Sequence, residues 1–102
     1  MTASETKRGM LIFPIKGQWY GMIKRNEKKE EYRRKCPYYD ARLKKYLGKE
    51  TTVLFRNGYS RTSPTIEAKI FVTLKEGRPE WGAIPRVIYY TLIILEQKEI
   101  QP

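Results

Sequence analysis

The chain contains no histidine and a single cysteine, Cys36, among its 102 residues. Without histidine the commonest general base is missing, so Ser-His-Asp and Cys-His catalysis in their usual forms are excluded. One cysteine cannot close an intrachain disulfide, and with no histidine beside it there is no ligand set for zinc. Neither a metal nor a cofactor is expected. No apolar run approaches the roughly 18 residues of a membrane span. Residues Met1 to Arg8 are polar and lack the apolar centre of a signal peptide. The expected setting is a reducing cytoplasm, away from membranes. Any enzyme built on this chain works with Lys, Glu, Asp, Tyr or Thr.

Acidic residues are scarce too, 11 against 21 Lys and Arg, which leaves a net charge of +10. The imbalance is concentrated between Lys24 and Lys45. Ten basic residues lie there (24, 25, 28, 29, 33, 34, 35, 42, 44 and 45) against four acidic ones (27, 30, 31 and 40), a net +6. A field of this sign favours polyanions, and nucleic acid before membrane, because no strongly apolar amphipathic helix accompanies it. A hydrophobic content of 40% with 13% aromatics suits a folded globule. The length fits one domain, taken as residues 9–102 behind a loose tail at 1–8. Oligomeric state is left open.

Gly9 to Ile15 reads as a short buried strand, with Pro14 capping it or placing it on an edge. Trp19, Met22 and Ile23 recur at the spacing of a helical face, which predicts a helix over 18–25 with Trp19 in the core. Glu30 to Lys35 is expected to be a polar strand that Cys36-Pro37 ends. Tyr39, Leu43, Tyr46 and Leu47 predict a second helix over 38–47, stopped by Gly48. From there the period changes to two. Strands are expected over 51–56, 65–75 and 89–100. Ile66, Ala68, Ile70, Val72 and Leu74 share one face of the second, and Glu67, Lys69, Phe71 and Thr73 the other. The turn-rich loop 57–64 opens on Asn-Gly, a strong turn dipeptide. Strands outnumber helices and the two helices fall in the first half, which predicts an α+β fold with a small, mostly antiparallel barrel.

The densest chemistry lies at Lys28, Glu31 and Arg33. Glu31 and Arg33 are two apart, so on a strand they leave the same face. Lys28 sits where the first helix gives way to that strand and can swing over the same spot. Glu31 is then expected to orient Arg33 and Lys28 toward an anion or a base edge, the guanidinium offering a planar fork that suits phosphate. Arg56, Asn57, Tyr59 and Ser60 form a polar, aromatic loop of the kind that supports base stacking and phosphate contacts.

Asn26, Lys28, Glu31 and Arg33 resemble the G-x-K-x-x-E-x-R signature that follows the first helix of ASCH domains, a branch of the PUA-like β-barrels. Asparagine stands here for the glycine, and it too tolerates a left-handed backbone. The helix around Trp19-Tyr20 is similar to the ASCH helix. The Glu-Tyr-Arg strand before a proline and paired tyrosines resembles small phage and prophage members, as do Phe55 to Ser60 and Glu80-Trp81-Gly82. The resemblance spans roughly residues 9–100. It implies a PUA-like barrel with a cleft beside the signature strand, binding RNA or a nucleotide-like ligand through Lys28, Glu31, Arg33, Arg56, Asn57, Tyr59 and Ser60. Similar proteins include amidohydrolases of acylated cytidine and some that cut RNA. In the amidohydrolase branch a threonine stands where this chain has Glu31, and an acid on a later strand completes the site. A metal-free hydrolase would here use Lys28 with Glu31 or Glu67. A phage-encoded inhibitor of a host nucleic-acid-binding machine is a third reading. The plain binding module is the first.

Overall fold

The structure is a computed structural model that describes residues 4, 5 and 9–100. Its strands are β1 (Ser4–Glu5), β2 (Leu11–Ile15), β3 (Glu30–Arg34), β4 (Glu50–Asn57), β5 (Thr65–Glu76) and β6 (Ile88–Ile100). Its helices are α1 (Gly17–Lys24) and α2 (Pro37–Leu43). The strands form one sheet in the order β1-β2-β4-β5-β6-β3. Of its five pairings only β2 with β4 is parallel, so the expected mostly antiparallel α+β architecture holds. The tail expected over 1–8 contributes Ser4–Glu5 to the sheet, against Leu11 and Ile12; the rest of it lies outside the described residues.

The two-residue period builds the core. Leu11, Phe13 and Ile15 point inward from β2, Val53 and Phe55 from β4, and Ile66, Ala68, Ile70 and Val72 from β5. They pack with Tyr90 and Leu92 of β6, Tyr20 and Ile23 of α1, and Tyr39 and Leu43 of α2. Hydrocarbon removed from water here is the main driving force for folding, at roughly 25 cal/mol per Å².

The sheet curls, and its two ends are joined by side chains instead of a backbone ladder. Pro14 explains why. Among the described residues the pairing of β1 with β2 covers Leu11 and Ile12, short of Pro14. A proline there has no N–H to leave unpaired, and its carbonyl accepts from Arg33 Nη2 of β3 at 2.9 Å. β3 at one end of the sheet order and β2, next to the other end, are thereby tied into a half-barrel.

The second helix is shorter than the period of its sequence predicts. Pro37 starts α2 at its first turn, where a missing N–H costs nothing. After Leu43 the chain tightens into a 3-10 turn, Lys44–Tyr46. Leu47 then bridges to Val72, and Gly48, at φ 74°, donates its N–H to the Val72 carbonyl. Docking on β5 overrides four further residues of helical pattern, and Gly48 stands at the stop where a left-handed residue is needed.

Candidate functional site

Asn26 turns the chain out of α1 with φ 62°, a left-handed conformation that asparagine tolerates. The turn delivers Lys28 to the mouth of the curled sheet, and β3 follows with Glu31 and Arg33 on one face. That face is the inner one. Lys28, Glu31 and Arg33 are 1%, 6% and 5% exposed, so the polar strand expected over 30–35 turns two of its charges into the interior.

Three buried charges persist because each is matched. Glu31 is the hub: Oε1 lies 3.4 Å from Lys28 Nζ, and Oε2 accepts from Arg33 Nη2 at 2.8 Å. The Lys28 ammonium also donates to the Trp81 carbonyl at 2.8 Å and stands about 5 Å from the ring centres of Trp19 and Tyr32 (5.1 and 5.0 Å). Burial pulls the Lys28 pKa below the usual lysine value, and the charge of Glu31 opposes that shift. The guanidinium of Arg33 donates to the Tyr39 hydroxyl at 3.1 Å and to Pro14 O, and lies 5.1 Å from the Phe13 ring centre. Its Nε is buried without a partner.

Beside this cluster opens a pocket of about 160 Å³, lined by Lys16, Trp19, Glu31, Tyr32, Trp81, Gly82 and Tyr89. Of the three buried charges only Glu31 lines it. Lys28 and Arg33, expected to meet a ligand directly, hold that carboxylate by ion pairs, and the Lys28 ammonium stands behind the walls that Trp19, Tyr32 and Trp81 give the cavity. A carboxylate has about four acceptor sites, and two are used by the cations. What remains is an acceptor between aromatic walls.

Those walls depend on close backbone approaches. Gly82, at φ 99°, sits under Trp19, where a Cβ would come within 3.2 Å of the indole. At Gly77 a Cβ would lie 2.6 Å from Ala83 and 2.7 Å from Tyr32, so only glycine lets the β5–β6 connection close over that ring. The Tyr32 hydroxyl donates to Glu30 and accepts from the Arg78 N–H, which fixes the ring's edge.

The other residues singled out in the sequence lie elsewhere. Arg56 and Asn57 end β4, Tyr59 is 69% exposed, and Ser60 Oγ accepts from the Thr62 N–H in a local turn. This loop touches the start of α1, where the Asn57 amide lies over Gly17, but none of the four lines the pocket. Glu67 lines a separate shallow hollow of about 420 Å³ with Thr52, Lys69, Glu96, Gln97 and Lys98. Its neighbours Ile66 and Ala68 are core, so the alternation of β5 sends Glu67 to the outer face, and it forms no pair with Lys28. Sequence reasoning missed Lys16, Tyr32 and Tyr89 and took Trp19 for core. The signal for Trp81 was present, a tryptophan after a Gly-Arg-Pro turn with glycine behind it.

Among the described residues no helix is long and apolar enough to cross a membrane. No family model, curated protein or solved structure matches the chain.

Proposed function

We propose that the chain is an ASCH-type module of the PUA-like class that binds RNA or a nucleotide by taking one flat base into the pocket over Glu31. The observation that carries this reading is the doubly clamped Glu31 carboxylate set between Trp19 and Trp81. The ring faces supply stacking, on the order of 1–3 kcal/mol per base. The free acceptor sites of Glu31 suit the N–H groups of an amino-bearing base edge. Lys16 at the rim supplies a cation for an attached phosphate.

The chain's only two tryptophans are the two that line this pocket, so intrinsic fluorescence reports on it directly. Cytidine and adenosine monophosphates are expected to quench it saturably, and uridine monophosphate, which has no amino group, to do so more weakly. Trp81→Ala should weaken binding about tenfold or more, the equivalent of roughly 1.4 kcal/mol. Fluorescence unmoved by any nucleotide or short RNA at low salt would refute the proposal.

A hydrolase reading draws on Lys28, whose lowered pKa favours the neutral amine that a general base requires. It ranks second because the Lys28 amine is already engaged with the Trp81 carbonyl and Glu31, and Glu67 is on the far face. Turnover of acylated cytidine or labelled RNA by the wild type, abolished in Lys28→Arg, would reverse that order.

A further inference from the structure

Ion pairing sorts the ten basic residues between Lys24 and Lys45 into two groups. Lys24, Arg25, Lys28, Arg33 and Lys35 are paired with Glu99, Glu27, Glu31, Glu31 and Asp40. Among the described residues Lys29, Arg34, Arg42, Lys44 and Lys45 have no carboxylate partner. Three of these five fall together at the end of α2 and in the 3-10 turn, and Lys49, exposed and equally unmatched, follows four residues later. The acids nearest in sequence are already engaged, Asp40 with Lys35 and Tyr90 and Glu50 with Lys69. The result is a basic ridge without ion pairs of its own, on which only Lys44 feels a nearby carboxylate, that of Asp40.

The ridge borders a groove of about 240 Å³ whose lining includes Tyr46, Thr51, Thr52, Gly9 and Leu11. Lys45 Nζ stands 5.3 Å from the Tyr46 ring centre, on that wall, and the Lys49 N–H bonds the Tyr46 carbonyl. Arg42 lies 3.6 Å from the ring centre of Tyr38 and donates to the Tyr38 carbonyl, which holds its guanidinium in place. Exposed cations beside an aromatic wall and two hydroxyls are the parts from which single-strand sites are made: charge along the backbone, a ring face for a base, and hydroxyl partners for the sugar.

We propose that this groove and its ridge form a second site, distinct from the pocket over Glu31, that binds the sugar–phosphate backbone of a single RNA strand through Lys44, Lys45 and Lys49. The proposal rests on the nucleic-acid reading above and deepens it: the partner is a strand of several nucleotides, not a free nucleotide.

The test compares wild type with the triple variant Lys44→Gln/Lys45→Gln/Lys49→Gln, all exposed side chains whose loss leaves the core intact. Anisotropy of a labelled single-stranded RNA of about ten nucleotides is read against KCl, and cytidine monophosphate binding is read by tryptophan fluorescence. At about 0.7 per phosphate contact on single strands, removing three should flatten the log K against log salt slope by about 2. Low-salt RNA affinity should fall by about 10- to 100-fold, with monophosphate quenching unchanged. An unchanged slope and affinity in the variant overturns the second site, as does a wild type that binds the RNA no better than the monophosphate. Ridge-dependent RNA binding with silent tryptophans keeps the second site and removes the pocket reading. Tighter binding to phosphatidylserine vesicles than to RNA would assign the ridge to a membrane surface and overturn the proposal.

Discussion

Glu31 is the residue on which the cluster turns, because it neutralises two cations at once. Glu31→Gln removes the carboxylate that both buried cations, Lys28 and Arg33, contact, and breaking a buried pair from one side costs about 3–5 kcal/mol. Lys28→Met keeps the apolar stem and leaves a neutral Glu31–Arg33 pair, so it should cost less than half as much. Urea unfolding of both variants measures the order; a Lys28→Met loss equal to that of Glu31→Gln would show that the ammonium, not the carboxylate, is the hub. The spacing of 31 and 33 and the turn at Asn26 were legible in the sequence, since both are local consequences of backbone geometry. The depth of the site was not. A Glu-Glu-Tyr-Arg-Arg strand reads as polar, and nothing nearby announces that Pro14, nineteen residues before Arg33, and Trp81, fifty-three after Lys28, supply the carbonyls that make burial tolerable.

At the scale of elements, strand positions follow the period closely and helix ends do not. The inward set of β5 was readable because each residue answers to the same alternation, and that alternation already placed Glu67 outside. The second helix was over-extended because Tyr46 and Leu47 keep helical spacing while their packing belongs to the turn that docks on Val72. The β5–β6 connection is the element most exposed to a small change. Gly77→Ala places a methyl group against Tyr32 and Ala83, and overpacking of this kind costs typically about 1–3 kcal/mol. Calorimetry should show a lowered Tm, and because Tyr32 is a pocket wall, nucleotide quenching should weaken as well. A variant as stable as wild type would mean that the connection relaxes freely.

Across the whole molecule, three tyrosines bond elements distant in sequence: Tyr20 of α1 to Glu99 of β6, Tyr32 of β3 to the Arg78 N–H, and Tyr90 of β6 to Asp40 of α2. Burial is the foremost cause that raises the pKa of each, and Tyr90 is pushed up to about 12. A raised folded-state pKa gives stability that is complete below the ordinary tyrosine value near 10 and lost as pH rises through the folded value. Lys28 works in the opposite sense. Its folded pKa is lowered, so its contribution grows as pH rises toward 10.5 and is complete above that. Stability should therefore hold up to about pH 10 and fall between about 10 and 12. Denaturant midpoints across that range test this, and a decline complete before about pH 9.5 would contradict it.

The parallel pairing of β2 with β4 has a consequence for the order in which a growing chain can assemble. Everything between those strands, both helices and β3 included, is a crossover that must be made before β2 gains its ladder partner. Lys28 then waits for the Trp81 carbonyl, and β3 for β6, whose C-terminal end also brings Glu99 to Tyr20, seventy-nine residues upstream. A nascent chain that has not yet released Trp81 and β6 carries three charges bound for an interior it does not have. The pocket is therefore among the last features to exist during synthesis, and a truncated product would lack it altogether.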